Sequence, residues 1–461
     1  MQTASELAHW RARWAAPLLA HLRTPLYRNG YALVANAVST SVLGILYWMV
    51  AARLYATETV GVNSAVIATM TFLSSAGRLY LDGVLMRFLP RAGAQSPRLI
   101  QLAYLAGGLA SGLLGLVFLL GASRWAPSLA FLWAKPGMAI GFVLATMASC
   151  IFTQQDGVLT GLRQAKWVPV ENLLFAAAKL VLLLALARSF PEEGIFLSWS
   201  VPLFLSLPLV NLLIFRRLLP KHIAVGRSLQ TEVKLREVVG YAGGLYAGFL
   251  FSAASSRLLP LVVLQIAGSR AAAYFNLPWM MMTSIQLIIP SMMGSLTVEV
   301  SRDESKLVQF SHKAFKQTGL LLAPAAVGLA LGAPYVLHLF GQNYAAEAGW
   351  LLRLLSLATL PQIITGLYFG VSRVRRSVWG VAAVHSSLFV MNMALSYLLL
   401  GRLGVTGVGI AWLINQTLVA LVLFFTQLRP LLWAPRAAVG PAQTMYSLPG
   451  GGSRDGDGSE R

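Results

Sequence analysis

The chain has 461 residues, of which 57% are apolar and only 11% charged, with a formal net charge of +20. Soluble domains carry roughly 25% charged residues, so this composition excludes an ordinary soluble fold. The single cysteine, Cys150, excludes an internal disulfide and a cysteine-based metal site.

In chain order, residues 1–30 set Trp10, Trp14, Leu18 and Leu22 against Arg11, Arg13 and Arg23. That pattern predicts a basic amphipathic helix lying on the membrane rather than a cleaved signal peptide. Hydropathy then predicts twelve spans, at roughly 31–53, 60–86, 99–121, 138–156, 168–187, 196–215, 238–259, 272–296, 318–340, 347–371, 377–400 and 405–428. A basic connection, 216–237, divides them six and six. The Gly/Ser-rich tail at 429–461 is too polar to bury a core and is expected to be disordered. The expected class is an all-α polytopic membrane protein: about 12 transmembrane helices in two pseudo-symmetric six-helix lobes. Residues 31–215 form the N-lobe and 238–428 the C-lobe.

The charge is explained by topology. Twenty-six of the 36 basic residues fall on one side of the predicted spans, in clusters such as Arg87/Arg91/Arg98, Arg216/Arg217/Lys221 and Arg373/Arg375/Arg376. The positive-inside rule makes that side cytoplasmic and puts both termini there. No nucleic-acid partner is required. The abundance of arginine over lysine, with many alanines and glycines, points to a bacterial plasma membrane.

The halves echo each other. "NGYALVAN" (29–36) pairs with "VGYAGGLY" (239–246), "WAPSLAFL" (125–132) with "GAPYVLHLF" (332–340), and "GIFLSW" (194–199) with "GVGIAW" (407–412). Three weak matches in order at nearly constant spacing indicate a duplication. Six spans is an even number, so the repeats share one orientation, with a substrate path between them.

Longer stretches carry a resemblance. "LGILYWMVAARLYATETVGVNSAVIATMTFLSSAG" with the following "RFLPRA" resembles the N-terminal half of bacterial polysaccharide (O-antigen, Wzx-like) exporters. "APYVLHLFGQNYAAEAGWLLRLLSLATLP" and "LGVTGVGIAWLINQTLVA" are similar to their C-terminal half. These exporters belong to the multidrug/oligosaccharidyl-lipid/polysaccharide (MOP) exporter superfamily. The resemblance implies a flippase moving an oligosaccharide linked to polyprenyl diphosphate between leaflets for cell-surface polysaccharide (lipopolysaccharide or exopolysaccharide) synthesis. It further implies membrane lipids as neighbours and a polysaccharide polymerase or glycosyltransferases as partners. The chain departs from the family in having few embedded acids.

Charges within spans are costly, roughly 2.5–3.5 kcal/mol at the bilayer centre on insertion scales, and so mark candidate sites. Lys179, within "LLFAAAKLVLLLALA", is either a cationic site on the path or an interhelical partner of Glu171 or Asp156. Arg257 follows the small residues of "SSAASS" and reads equally as a substrate contact or a structural pair. Arg53 sits at the outer edge, where snorkelling accounts for it, yet it belongs to the Ala-Arg-x-Tyr of the family pattern. Arg78 and Asp82 are four apart and can pair on one helix face; the sharper reading uses Arg78 to recognise a diphosphate, which its planar fork suits. Asp82, Asp156 and Glu171 are the acids available for ion coupling. His385 reads as a packing residue before a proton carrier, and Asn36, Asn63, Gln265, Asn276, Gln286, Asn392 and Asn415 as interhelical bonds before sugar ligands.

Three functions compete. A flippase of lipid-linked oligosaccharide suits embedded positive charge. A cation-coupled multidrug antiporter of the same superfamily wants buried carboxylates, which are scarce; a lipid II flippase is closer in chemistry, though it commonly has fourteen spans. A membrane polymerase or ligase needs positioned acids, bases or nucleophiles on a sizeable aqueous loop, and no such motif appears. No enzyme activity, cofactor or metal is expected.

Overall fold

In hydrocarbon every backbone N–H and C=O must bond within its own segment, which leaves this chain little choice but helix. The computed structural model describes residues 25–225, 235–290, 292–293, 307–375 and 377–433, and in the first helix the side chains are described from Ser39. The expected surface helix before Pro25, the middle of the polar connection (226–234) and the tail beyond Trp433 lie outside these residues, as does the end of the eighth span. The described residues form α1 (Pro25–Leu54), α2 (Thr57–Gly77), α3 (Leu81–Ala92), α4 (Ser96–Trp125), α5 (Pro136–Gly161), α6 (Trp167–Leu186) and α7 (Gly194–Leu213). A short α8 (Leu219–Val225) precedes α9 (Leu235–Arg257), α10 (Leu259–Gln286), α11 (Leu307–His338), α12 (Gln342–Ala358), α13 (Gln362–Val374) and α14 (Val378–Leu423).

Among the described residues eight helical stretches are long and apolar enough to cross a membrane, and the α12–α13 pair, bent by 41°, makes a ninth. Two of them run 55 and 51 residues. At 1.5 Å per residue such helices reach about 80 Å, more than twice the roughly 30 Å hydrocarbon core, so each must contain two spans. The breaks are Gly268 and Gly404, whose φ of 84° and 57° lies where residues with a Cβ are strained. Across the second break, Asn415 donates to the Leu388 carbonyl at 2.8 Å, so the two arms of α14 lie side by side. With α1 as the first span and α2–α3 as the second, the order is twelve spans, six and six. The three sequence echoes then fall in spans one and seven, at the ends of spans three and nine, and in spans six and twelve.

Besides the α12–α13 bend inside the predicted tenth span and the start of α10 at Leu259 rather than near 272, the described helices differ from the hydropathy boundaries at three further places. The sixth span continues through a π-turn (Ile214–Leu218) into α8, inside the predicted connection, and α11 begins at Leu307, well before the predicted ninth span. Hydropathy marks where the bilayer ends; arginine and lysine are good helix formers and carry the helix onward. The third difference is a break at Leu79 and Tyr80, both left-handed (φ 55° and 60°), in the middle of span two.

Large apolar side chains face outward, among them Leu331 at 73% and Leu209 at 68% exposure. A soluble surface avoids such a belt; lipid covers it. This is a multi-pass membrane protein. Within the first half α1 packs on α6, α4 on α5 and α6 on α7; within the second, α9 and α12 pack on α14 and α11 on α12. The halves join chiefly along α2 and α10. There Gly61 admits the backbone: a Cβ would collide with the Ser269 carbonyl. Gly61→Ala is expected to destabilise the protein by roughly 1–3 kcal/mol, as overpacking does, read as a lower unfolding temperature in detergent.

One end of the bundle carries the basic clusters. At the other end Arg53 Nε and Nη2 donate to the Leu339 carbonyl at 3.0 and 2.7 Å, Glu58 pairs with Arg270, and the Ser128 amide donates to Gln265 at 3.3 Å. These contacts all cross between halves. At the basic end the halves meet through α3 and α9, where Phe88 and Tyr241 stand edge to face at 5.8 Å and the Arg87 guanidinium lies 4.4 Å from the Tyr241 ring.

Candidate functional site

A cavity of about 650 Å³ lies in the second half, walled by α9, α10, α13 and both arms of α14. Ser252, Ser255 and Ser256 share one face of α9 by their i, i+3, i+4 spacing and lead to Arg257. The other walls supply Thr283 and Gln286, Gln362 and Thr365, Arg373, His385, and Trp412 and Gln416. Pro361 stands at the α12–α13 bend and turns α13 so that Gln362, Thr365, Phe369 and Arg373 face inward. His385 stacks flat on Phe369, with ring centroids 4.2 Å apart.

Among the described residues the lining contains two arginines and no carboxylate. Gln362 Nε2 and Trp412 Nε1 are buried donors without a protein acceptor. Two cations and donors without a protein partner suit a ligand that carries negative charge and hydrogen-bond acceptors, since leaving such donors unpaired costs about 1–3 kcal/mol each. A cationic ligand would meet like charge.

Arg257 also reaches across the interface, Nη1 donating to the Thr71 carbonyl of α2 at 3.4 Å. Arg78 stands within electrostatic range of it. The Arg78 side chain is buried at the end of α2, where the Leu79–Tyr80 break turns the chain. Its Nε lies 3.4 Å from Asp82 Oδ1, and its guanidinium carbon 5.0 Å from the Phe249 ring. The ion pair expected from the i, i+4 spacing is present, across a broken helix rather than along a continuous one.

The two remaining acids sit deeper in the first half. Asp156 on α5 accepts from Asn172 Nδ2 at 3.4 Å, and Glu171 on α6 is buried with both carboxylate oxygens unpartnered. The Glu171 and Asp156 carboxylates feel each other's charge, and the buried Tyr104 hydroxyl feels both. This cluster belongs to the first half, and the cavity to the second.

Lys179 is not paired with either acid: no carboxylate lies within 4 Å of its ammonium among the described residues. Its Nζ lies 3.8 Å from the Trp199 ring centroid, 4.9 Å from Tyr47 and 5.4 Å from Phe175. Three aromatic faces around one desolvated ammonium offer about 2 kcal/mol or more of cation–π attraction. The rings are themselves fixed, since Tyr47 shares a hydrogen bond with Ser198 Oγ at 2.8 Å and donates to the Ile195 carbonyl at 3.0 Å. Lys179 does not line the cavity. Arg53 lies at the opposite end of the bundle, on the Leu339 carbonyl.

Of the seven charges singled out in the sequence, Arg257 lines the cavity, Arg78 stands within electrostatic range of it and pairs with Asp82, Asp156 lies within range of that pair and Glu171 within range of Asp156, while Lys179 and Arg53 lie elsewhere. Sequence reading assigned Arg373 to topology and His385 to packing; both line the cavity. The periodic signal for Arg373 exists, since Gln362, Thr365, Phe369 and Arg373 recur at helical spacing. Among the polar neutrals, Gln286 lines the cavity, whereas Asn63 bonds the Thr59 and Glu192 carbonyls and Asn415 that of Leu388.

No protein-family model and no curated relative matches the sequence. Solved structures do. An inward-facing multidrug resistance MATE family transporter of the MOP superfamily aligns with a TM-score of 0.62 at 15% identity, over 86% of this chain and 96% of that one. The lipid II flippase MurJ in an inward closed conformation aligns at 0.65 and 12% identity, over 85% and 87%. The fold is that of these MOP transporters. An outward-facing MATE structure aligns at 0.52 and 14% identity, over 85% and 94%.

Proposed function

We propose that the protein is a flippase that carries a polyprenyl-diphosphate-linked oligosaccharide across the bacterial plasma membrane by alternating access. The observation that carries this reading is the cavity lining among the described residues: Arg257 and Arg373 for the diphosphate, unpaired amide and indole donors for sugar oxygens, and no carboxylate. The basic end faces the cytoplasm, as the positive-inside rule directs, and both termini lie there. Residues 31–215 and 238–428 rock as two lobes, joined by the connection at 216–237 and followed by the tail at 429–461. Arg78, held beside Asp82, meets the incoming diphosphate between them. Asp82, Asp156 and Glu171 serve the coupling ion. Lys179 and Arg53 hold structure, the first inside the N-lobe and the second across the outer closure.

No bond is made or broken in this reading. The product serves cell-surface polysaccharide synthesis, and polymerases or glycosyltransferases are its working partners. A cationic drug finds no countercharge among the described residues of the cavity, which disfavours the antiporter.

The test is a reconstituted vesicle carrying a fluorescent polyprenyl-diphosphate oligosaccharide, with an outside quencher reporting the label's arrival. Parallel vesicles carry labelled lipid II or a cationic dye. Protein-dependent movement of the oligosaccharide lipid, faster than of either competitor, is the expected result. Movement of the dye alone would replace this reading with the antiporter.

A further inference from the structure

A second cavity of about 670 Å³ lies at the basic end, between α3 and α4 of the first half and α9 of the second. Its walls are mostly apolar, with Leu79, Val84, Leu99, Ala103, Val238 and Ala242, and Gln95 and Tyr246 add two polar groups. It opens sideways, past Leu102 and Val239, which are 50% and 61% exposed on the lipid-facing surface. Arg98, at the basic end of α4, stands exposed at the rim. The donor-lined cavity described above takes Ser252, Ser255, Ser256 and Arg257 from α9 and otherwise α10, α13 and α14, so the two share no lining residue.

We infer that this pocket is a binding site for an anionic phospholipid of the leaflet at the basic end, with one acyl chain between the halves and the headgroup on Arg98. In a bilayer an apolar cleft open to the side cannot fill with water, and an unfilled void forfeits the contacts of every atom lining it. A hydrocarbon chain from the adjoining leaflet is the matching occupant. The rim selects the headgroup, since a guanidinium at the interface binds phosphate and favours anionic over zwitterionic lipid. A polyprenyl tail fits the cleft less well, because Arg78, Arg257 and Arg373, the residues that would hold its diphosphate, do not line it. The two walls come from different halves, so rocking changes the cleft, and a seated chain favours the conformation seen here.

The experiment is native mass spectrometry of the full-length protein from detergent micelles containing equal phosphatidylglycerol and phosphatidylethanolamine. Binding in micelles does not depend on which leaflet the site faces or on what the protein transports, so the outcome is independent of the flippase reading. The wild type is expected to retain phosphatidylglycerol over phosphatidylethanolamine by about fivefold, the effect of one interfacial arginine. Arg98→Gln keeps a lipid but loses the preference, and Ala242→Trp, which fills the cleft, retains one lipid fewer. Because the tryptophan can disturb packing, Arg98→Gln, an exposed change, carries the test alone if Ala242→Trp fails to fold. Equal retention and equal preference in wild type and Arg98→Gln would overturn the inference. So would undecaprenyl phosphate displacing the phospholipid from the wild type.

Discussion

Arg257→Gln slows the flipping of the oligosaccharide lipid by roughly 10- to 100-fold while the protein stays folded. A charge-assisted hydrogen bond contributes about 1.5–3 kcal/mol, and 1.4 kcal/mol is tenfold in rate or affinity. Arg257 is the cation that joins the cavity wall to the α2 interface, so its loss removes both the anion contact and the link to Thr71. Glutamine keeps a donor and much of the volume. Arg257→Lys keeps the charge without the planar fork and is expected to fall between the two. Flipping by both variants at the wild-type rate, with unchanged unfolding temperatures, would make Arg257 structural.

Trp199→Ala unfolds the N-lobe more easily by about 3–5 kcal/mol, the cost of truncating a large core aromatic, increased by the loss of the nearest ring face to Lys179. Lys179 itself behaves differently. Lys179→Met replaces a buried cation with an apolar chain of similar length, a change that leaves stability equal or higher, since the desolvation cost of the charge disappears. It leaves flipping within about twofold, because 1.4 kcal/mol is needed for a tenfold change and the ammonium lies off the cavity. Lys179→Glu puts negative charge against three negative ring faces and is expected to prevent accumulation of folded protein. Thermal unfolding in detergent and the vesicle assay read all three. A Lys179→Met protein that is stable yet does not flip would return Lys179 to the transport path.

What sequence could and could not show follows from the range of the interactions. Spans are local: twenty apolar residues announce themselves, and even the two merged helices were separable by length and by Gly268 and Gly404. The pairing of Arg78 with Asp82 is also local, four residues apart. The break between them carried no warning, because Leu79 and Tyr80 are not residues that favour a left-handed backbone, and tertiary packing holds them there. The Lys179 cage was out of reach for another reason. Tyr47, Phe175 and Trp199 come from three helices, and no periodicity on α6 announces that rings rather than carboxylates surround the ammonium. Arg373 shows the converse error: a basic residue near a cytoplasmic end satisfies the topology rule so well that its cavity face goes unread.

The most direct measurement places a photoreactive benzoylphenylalanine at Gln362, inside the cavity, and separately at Trp350, on the lipid-facing surface. Each protein is irradiated in vesicles containing radiolabelled polyprenyl-diphosphate oligosaccharide. The account predicts labelling at 362 that excess unlabelled substrate removes and that Arg257→Gln diminishes, with little specific labelling at 350. Equal labelling at both positions, or none at 362 while the same protein still flips the lipid, would contradict a substrate site in this cavity.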